Sequence, residues 1–359
     1  MIELTLSPYI IKKHHEWVFG RNKESPDRLY KKLKEAVDNE TDVDVKDILN
    51  DIFDKLENIV VGDYFKLDKI RKKFDEDIIK IRGKEVIRDI KISRKDKDGK
   101  DIYIGKKEKK LYEILKKIFV ESEYKYFYRS SGWNAYLFHQ ELNLSVCPYC
   151  GTQFIFLSYE AGGKTRATLD HFFDKATYPF LGISVYNLIP SCKVCNYDLK
   201  GSVSMNLTNN YIPYEKGIVN YINFELDNMT NLEMKEKAAN NQEIDYYNMF
   251  TGANEEFDIL MSYKEAPTEI AEKIRGNIKA FKLDVLYNKY HKDYVRSLIK
   301  KAYIYNKAYL QNLSTTYEKL FENEEDFTKS LFSSVSDDKH VILGKLTREI
   351  ISKELRFHK

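Results

Sequence analysis

The segments "CPYCG" (Cys147–Gly151) and "CKVCN" (Cys192–Asn196) contain all four cysteines of this 359-residue chain. Each segment is a C-x-x-C pair, and about forty residues separate the two. A tetrahedral zinc site needs two such pairs, because each supplies two thiolates at about 2.3 Å from the metal. We therefore predict that a structural zinc ion holds this part of the fold. The predicted ligands are Cys147, Cys150, Cys192 and Cys195.

A redox dithiol and a pair of disulfides are the alternatives to zinc. A thiol exchanger needs only one C-x-x-C pair, placed between a strand and a long helix. Here the first pair runs into residues that indicate two strands joined by a turn at Gly162 and Gly163. Disulfides are typical of secreted proteins, but the first twenty residues have charged and polar side chains where a signal peptide needs an apolar core.

Polar side chains of three kinds lie between the cysteine pairs or directly after them. Asp170 and His171 end the second predicted strand, Asn187 precedes an apolar turn, and Asn196 follows the last cysteine. Hydrolysis of a phosphodiester needs a base for water, a metal ion for the phosphate charge, and a group that orients the base. If a helix begins near Asn196, Lys200 shares its face and can reach a phosphate. One imidazole, one carboxylate and two amides in a zinc-braced frame could supply these parts.

The whole pattern resembles an HNH endonuclease of the ββα-metal type with a four-cysteine zinc brace. The resemblance covers residues 147–201 and rests on C-P-Y-C-G, L-D-H-F, N-L-I-P-S-C-x-x-C-N and L-K-G in that order. It implies that His171 is the general base and that Asp170 and Asn196 hold a catalytic Mg²⁺ or Mn²⁺. It also implies that Asn187 orients the base.

The same resemblance implies that Lys175 and Lys200 bind substrate. Asp174 departs from the family pattern, which often has proline there, and we expect at most an outer role for its carboxylate. Simpler interpretations exist for single residues: an Asp-His pair is often a surface turn, Asn187 suits a turn, and Asn196 suits a helix cap. Only the combination favours catalysis.

The flanking segments are similar to the larger bacterial HNH proteins of phage-defence operons, such as the Septu type. In that type the nuclease subunit works with an ATPase of the SMC or ABC class. The resemblance thus implies a protein partner of that class and a regulated role in antiviral defence.

Outside the motif, apolar residues recur with a helical period. One stripe runs from Val45 to Val60, a second from Leu111 to Phe119, and a third from Val295 to Tyr309. We predict a mainly α fold with a small α+β insert, the zinc-braced ββα module, between helical N- and C-terminal regions. The predicted domains are a helical region at 1–140, the nuclease module at 141–202, and a mixed, then helical region at 203–359.

Net charge says little about partners, since 59 basic residues face 56 acidic ones. Locally, residues 80–110 carry thirteen Lys or Arg against six Asp or Glu. This basic segment could contact a phosphate backbone, or it could be a solvated hairpin.

We expect a cytoplasmic, metal-dependent endonuclease that acts on nucleic acid, with DNA favoured over RNA. We expect no membrane partner. No stretch of 18 apolar residues occurs in the chain. Two alternatives stay open: a catalytically idle, zinc-braced nucleic-acid-binding scaffold, and a nuclease that cleaves RNA, for example tRNA.

Overall fold

A computed structural model describes most of the chain and shows a mainly helical protein with four small two-stranded sheets among its described residues. The described residues are 1–20, 28–85, 87–95, 100–160, 163–201, 203, 205–227, 257–305, 307–317, 326, 330 and 338–357. The prediction of a mainly α fold with small sheets is confirmed. The three predicted domains remain a prediction.

The chain packs as two compact units. The first, here the helical unit, comprises Glu3–Leu144 and Ile155–Lys216. The second, here the C-terminal unit, comprises Met1–Ile2, Ser145–Phe154 and Gly217–Lys359.

The helical unit is built on helices whose apolar stripes form its core. The α-helices are Pro8–Phe19, Arg28–Asn39, Val43–Asp54, Leu56–Val61, Tyr64–Lys84, Lys106–Leu115, Lys125–Arg129 and Ala135–Leu142. Asp42 caps the third helix by accepting hydrogen bonds from the amides of Asp44 and Val45. The predicted stripe from Val45 to Val60 is buried at Val45, Leu49 and Val60, but it runs over two helices, because one helix ends at Asp54 and the next begins at Leu56.

A helical run without a break extends from Lys106 to Arg129. Its central part, Lys116–Tyr124, is π-helical. Such wider turns are rare and often occur at functional sites. The run places Tyr124 and Tyr128 one turn apart on the same face, where their rings contact each other.

Three of the four sheets are local hairpins or pairs outside the predicted site. Strand β1 (Ile90–Lys95) pairs with β2 (Asp101–Ile104), β3 (Ser158–Glu160) with β4 (Gly163–Thr165), and β7 (Asn223–Asp227) with β8 (Asp258–Ser262), all antiparallel. The predicted hairpin around Gly163 therefore exists, although Gly162 lies outside the described residues.

That hairpin does not carry Asp170 and His171, which is a correction to the prediction. Strand β4 ends at Thr165. The two residues lie on a separate strand, β5 (Thr168–His171), which pairs with β6 (Leu188–Ser191). Strand β5 is nearly fully buried, so its pairing is decided by packing rather than by the nearest turn.

The C-terminal unit contains sheet β7–β8 and a set of helices. These helices are Thr268–Ala280, Leu283–Tyr290, Lys292–Ile304, Lys307–Thr316 and Gly344–Phe357. The predicted stripe is buried at Val295, Leu298 and Ala302. It does not continue to Tyr309 on one helix, because the helix ends at Ile304 and Tyr309 lies on the next, 46% exposed.

The first cysteine pair belongs to a turn that the C-terminal unit holds by its backbone. The hydroxyl of Tyr287 donates to the Cys150 carbonyl at 2.7 Å, and the Leu343 amide donates to the Gly151 carbonyl at 2.7 Å. Gly151 has φ +69°, where a side chain would be strained and would approach the amino group of Met1.

Candidate active site

Two strands and a short helix bring the predicted catalytic residues onto one frame. Asp170 and His171 are the last two residues of β5 and pair with Ile189 and Leu188 of β6. Asn187 directly precedes β6, and Asn196 lies in the π-helix Val194–Lys200 that follows. The order along the chain is therefore strand, strand, helix.

The imidazole of His171 is buried and held in one tautomer. Its Nε2 lies 2.9 Å from the carbonyl oxygen of Gly182, which can only accept. Nε2 must therefore carry the proton, and Nδ1 keeps its lone pair. Nδ1 lies 3.3 Å from the Nζ of Lys175. This arrangement leaves Nδ1 as the basic atom.

The surroundings of His171 favour its neutral form. Burial lowers the pKa of His171 well below its usual value, and the positive charges of Lys175 and Lys200 lower it further. The ring of Tyr124 packs edge-on at 4.7 Å between centroids. The imidazole is therefore neutral at neutral pH, and its Nδ1 is unprotonated.

Lys175 lies beside the basic nitrogen and forms no ion pair with a described residue. Its Nζ is 5.4 Å from the centre of the Tyr124 ring. Burial lowers the pKa of the Lys175 ammonium, while the nearby carboxylates of Asp174 and Asp170 oppose this shift. Because no carboxylate among the described residues pairs with it, the Lys175 ammonium can contact a bound anion.

Asn187 positions His171 through the backbone. Its buried side chain accepts from the Phe173 amide at 2.7 Å and donates to the carbonyls of Phe173 and Leu181 at 3.0 Å each. These three bonds close the loop from 173 to 181. The next carbonyl, that of Gly182, is the one that holds the His171 ring.

Asp170 is paired with Lys200 in the interior. The Nζ of Lys200 lies 2.7 Å from Asp170 Oδ1 and 2.5 Å from the His171 carbonyl oxygen. Both side chains are only 4% exposed. Lys200, which the sequence predicts to bind substrate, therefore contacts a predicted metal ligand in this structure.

The π-helix packs on one face of β5 through two polar contacts. Asn196 Nδ2 donates to Thr168 Oγ1 at 3.0 Å, while Lys200 contacts Asp170. Thr168 and Asp170 are two residues apart, so they share one face of the strand. The helix ends at Gly201 with φ +46°, a backbone conformation that favours glycine.

The four cysteines form one buried cluster. Their sulfur atoms all lie within 4.8 Å of one another. A tetrahedral ion with sulfur at about 2.3 Å needs sulfurs about 3.8 Å apart, so the cluster is close to the required size. The Cys195 amide lies 3.3 Å from Cys192 Sγ, a contact that stabilises a thiolate. The cluster is consistent with structural zinc.

Other histidines of the helical unit have structural contacts. His14 lies between the Ile183 carbonyl at 2.7 Å and Trp133 Nε1 at 3.2 Å. His139 lies between the Leu144 carbonyl at 2.8 Å and the Ala167 amide at 3.4 Å. His358 lies outside the described residues.

Tyr124, Tyr128 and Arg166 contact the site or its edge without having been predicted. The guanidinium of Arg166 lies 4.0 Å from the centre of the Tyr128 ring. The only local signal was the spacing of the two tyrosines, which puts them on one helical face. Their proximity to His171 is a long-range contact that no local pattern reveals.

The basic segment 80–110 is largely neutralised by carboxylates of its own unit. Arg82 pairs with the fully buried Glu108, Lys110 with Glu40, and Lys91 with Asp101. Ion pairs also join Lys107 to the acidic start of the helix Val43–Asp54. Most cations of the segment that the structure describes are therefore engaged by carboxylates within the fold.

In comparisons with models of protein families, with curated proteins and with solved structures, the chain matches none. Within the described residues, no helix has the length and apolar character needed to cross a membrane.

Proposed function

We propose that this protein is a metal-dependent nuclease of the HNH type that hydrolyses phosphodiester bonds in nucleic acid, with DNA as the expected substrate. The observation that carries the proposal is the state of His171. A backbone carbonyl holds its Nε2, which leaves Nδ1 basic on the residue that follows Asp170 at the end of β5. The strand–strand–helix order around it is that of a ββα-metal module.

In the proposed reaction, water attacks the phosphorus atom and the bond from phosphorus to the 3′ oxygen breaks. The proton of the attacking water moves to Nδ1 of His171. Asn187 keeps the imidazole oriented through the Gly182 carbonyl, and Lys175 supplies positive charge to the phosphate. The 3′ oxygen takes a proton from solvent, so the products are a 5′-phosphate and a 3′-hydroxyl.

The residue types around Asp170 fit a magnesium ion. Asp170 and Asn196 would hold it through oxygen atoms, the ligands that Mg²⁺ prefers. When bound, the ion would stabilise negative charge on the phosphate and the leaving oxygen. Because Lys200 contacts the Asp170 carboxylate, the ion would compete with this ammonium group.

The zinc ion has a structural role in this proposal. The second cysteine pair lies directly beside two elements of the site, since Cys192 follows β6 and Cys195 precedes Asn196. Zinc at the cluster would hold the helix against the strands. It would take no part in the hydrolysis.

The resemblance in sequence extends the proposal to antiviral defence with an ATPase partner. That extension rests on the resemblance of the flanking segments alone. Its test is whether the full chain co-purifies with an ATPase of the SMC or ABC class. Failure to form a complex would contradict this extension and leave the nuclease proposal intact.

The nuclease proposal is tested by the metal dependence and the products of cleavage. Zinc-loaded protein is incubated with labelled DNA or RNA, with and without added Mg²⁺ or Mn²⁺, and the ends of the fragments are identified. We expect cleavage only with the added ion, giving 5′-phosphate ends. Cyclic phosphate ends, or equal cleavage without the ion, would contradict the mechanism. Absence of cleavage would favour the scaffold alternative.

A further inference from the structure

A continuous series of aromatic and cationic side chains leads away from His171 within the helical unit. We name Tyr128, Arg166, Tyr136, Tyr159 and Lys164 the aromatic–cation row. From the His171 ring, Tyr124 lies at 4.7 Å and Tyr128 follows at 4.9 Å between ring centroids. Tyr124 therefore lies between the proposed base, His171, and the first member of the row, Tyr128.

The successive members of the row stack on one another. Arg166 lies 4.0 Å from the Tyr128 ring centre and 5.3 Å from that of Tyr136. The rings of Tyr136 and Tyr159 are 4.8 Å apart, and the ammonium of Lys164 lies 4.5 Å from the Tyr159 ring centre. Helix, strand and loop residues far apart in sequence therefore form one series of contacts.

The outer end of the row is open to solvent. Tyr159 is 46% exposed, and Lys164 is exposed on β4. Besides Tyr136, the Tyr159 ring contacts the ammonium of Lys164, which sits on a flexible stem. A planar ligand can replace this ammonium on the ring at little cost.

The two cations of the row have no carboxylate partner among the described residues. Arg166 donates to the Ala167 carbonyl, and its buried Nε has no acceptor in the described part of the chain. Lys164 likewise forms no ion pair there. The basic segment 80–110 behaves differently, because carboxylates already engage most of its described cations. Charge that a ligand can use is therefore found beside the rings.

We propose that the aromatic–cation row binds an unpaired strand of nucleic acid and leads it to His171. A base stacks on the outer face of Tyr159, and Lys164 and Arg166 contact its phosphates. Stacking of this kind tolerates any base but requires an exposed base face, which a duplex offers only at its ends. The proposal rests on the proposed function and specifies the substrate as single-stranded.

The test separates binding from cleavage. A fluorescent single-stranded oligonucleotide, as DNA and as RNA, and a duplex of the same sequence are titrated with the His171→Ala protein without added Mg²⁺. We expect tighter binding of the single strand. In that background Tyr159→Ala should raise its Kd by about 5- to 150-fold, whereas Tyr159→Phe, which keeps the ring, should leave the Kd unchanged.

Two further variants locate the effect. Tyr103→Ala removes a 49% exposed tyrosine from the basic segment and should leave the Kd unchanged. Lys164→Ala should weaken binding and reduce the salt dependence of the Kd by about one phosphate contact. Circular dichroism and zinc content confirm that each variant is folded.

Equal binding of duplex and single strand, or an unchanged Kd in Tyr159→Ala, would overturn the inference. If the row binds the single strand as expected but the native protein cleaves nothing with Mg²⁺, the nuclease proposal is contradicted. The binding role of the row is then still supported. If the native protein cleaves but Tyr159→Ala binds normally, the row fails and the function stands.

Discussion

The basic segment 80–110 and the surroundings of His171 both carry positive charge, yet the charge has different partners. In the segment, cations such as Arg82 and Lys91 meet carboxylates of neighbouring elements. Around His171, Lys200 also pairs with a carboxylate, but Lys175 and Arg166 contact rings and a nitrogen instead. A pair that is already formed leaves little charge for a ligand. Charge available for binding is therefore found by looking for cations without carboxylates, rather than by counting cations.

Removing a cysteine should affect the His171 region most strongly. Cys192→Ala deprives the cluster of one of four ligands, and zinc binding is coupled to local folding. We expect the variant to lose its zinc and its cleavage activity. Metal analysis and a cleavage assay measure both.

The hairpin β1–β2 of the basic segment contains no ligand of the four-cysteine cluster. It should therefore be unaffected by the loss of zinc. Lys91→Ala, which should keep its zinc, serves as the control. Full zinc content in Cys192→Ala would contradict the structural role of the cluster.

The buried pair of Lys200 and Asp170 should give the next largest effect. Lys200→Met removes the ammonium that contacts the buried Asp170 carboxylate, which costs about 3 to 5 kcal/mol of unfolding free energy. Urea denaturation measures this loss. The exposed Lys216→Met is the matched control.

The same variant examines the proposed metal site. If Asp170 is a ligand of Mg²⁺, the added ion should restore part of the stability of Lys200→Met and do less for the native chain. An equal response of both proteins to Mg²⁺ would argue against Asp170 as a ligand.

How far the sequence alone predicts this molecule depends on the range of each interaction. The cysteine cluster and the helical stripes were predicted, because spacing along the chain encodes them directly. The pairing of β5 with β6 was missed, since it joins residues about twenty positions apart across a buried core. No local pattern indicated that Lys200 would reach Asp170, or that Tyr124 would pack on His171.

His139 should make the stability of the region depend on pH. Burial lowers its pKa, with Arg166 adding to the shift, and its two nitrogens bond the Leu144 carbonyl and the Ala167 amide in the neutral form. The unfolded chain takes up the proton more readily than the folded one. The contribution of His139 to the free energy of unfolding is therefore fully present above about pH 6.5, the pKa of the unfolded chain. It decreases as the pH falls below that value.

His139→Gln removes this titration. We expect the difference in unfolding free energy between the native chain and the variant to shrink from about pH 7.5 to about pH 5.5, as measured by urea denaturation at matched zinc content. Comparing two proteins at each pH cancels the contribution of His171. A difference that grows toward low pH would show that His139 is favoured in its charged form.

The smallest effect is expected in the basic segment. Lys91 and Asp101 form an ion pair across β1 and β2, with Lys91 57% exposed. Such surface pairs contribute less than about 1 kcal/mol. Lys91→Ala should therefore change the unfolding free energy by less than about 1 kcal/mol. It should leave the rate of cleavage unchanged. A large loss of cleavage would indicate that the basic segment contacts substrate, and it would contradict the comparison.

The most direct test of the account compares the cleavage rates of the native chain and His171→Ala at matched zinc content, with Mg²⁺, on plasmid DNA, single-stranded DNA and RNA. The account predicts that the native chain cuts at least one of these, and that the variant is slower by about 10² to 10⁴ with an unchanged fold. Cleavage by His171→Ala at the native rate would contradict the assignment of His171 as the base.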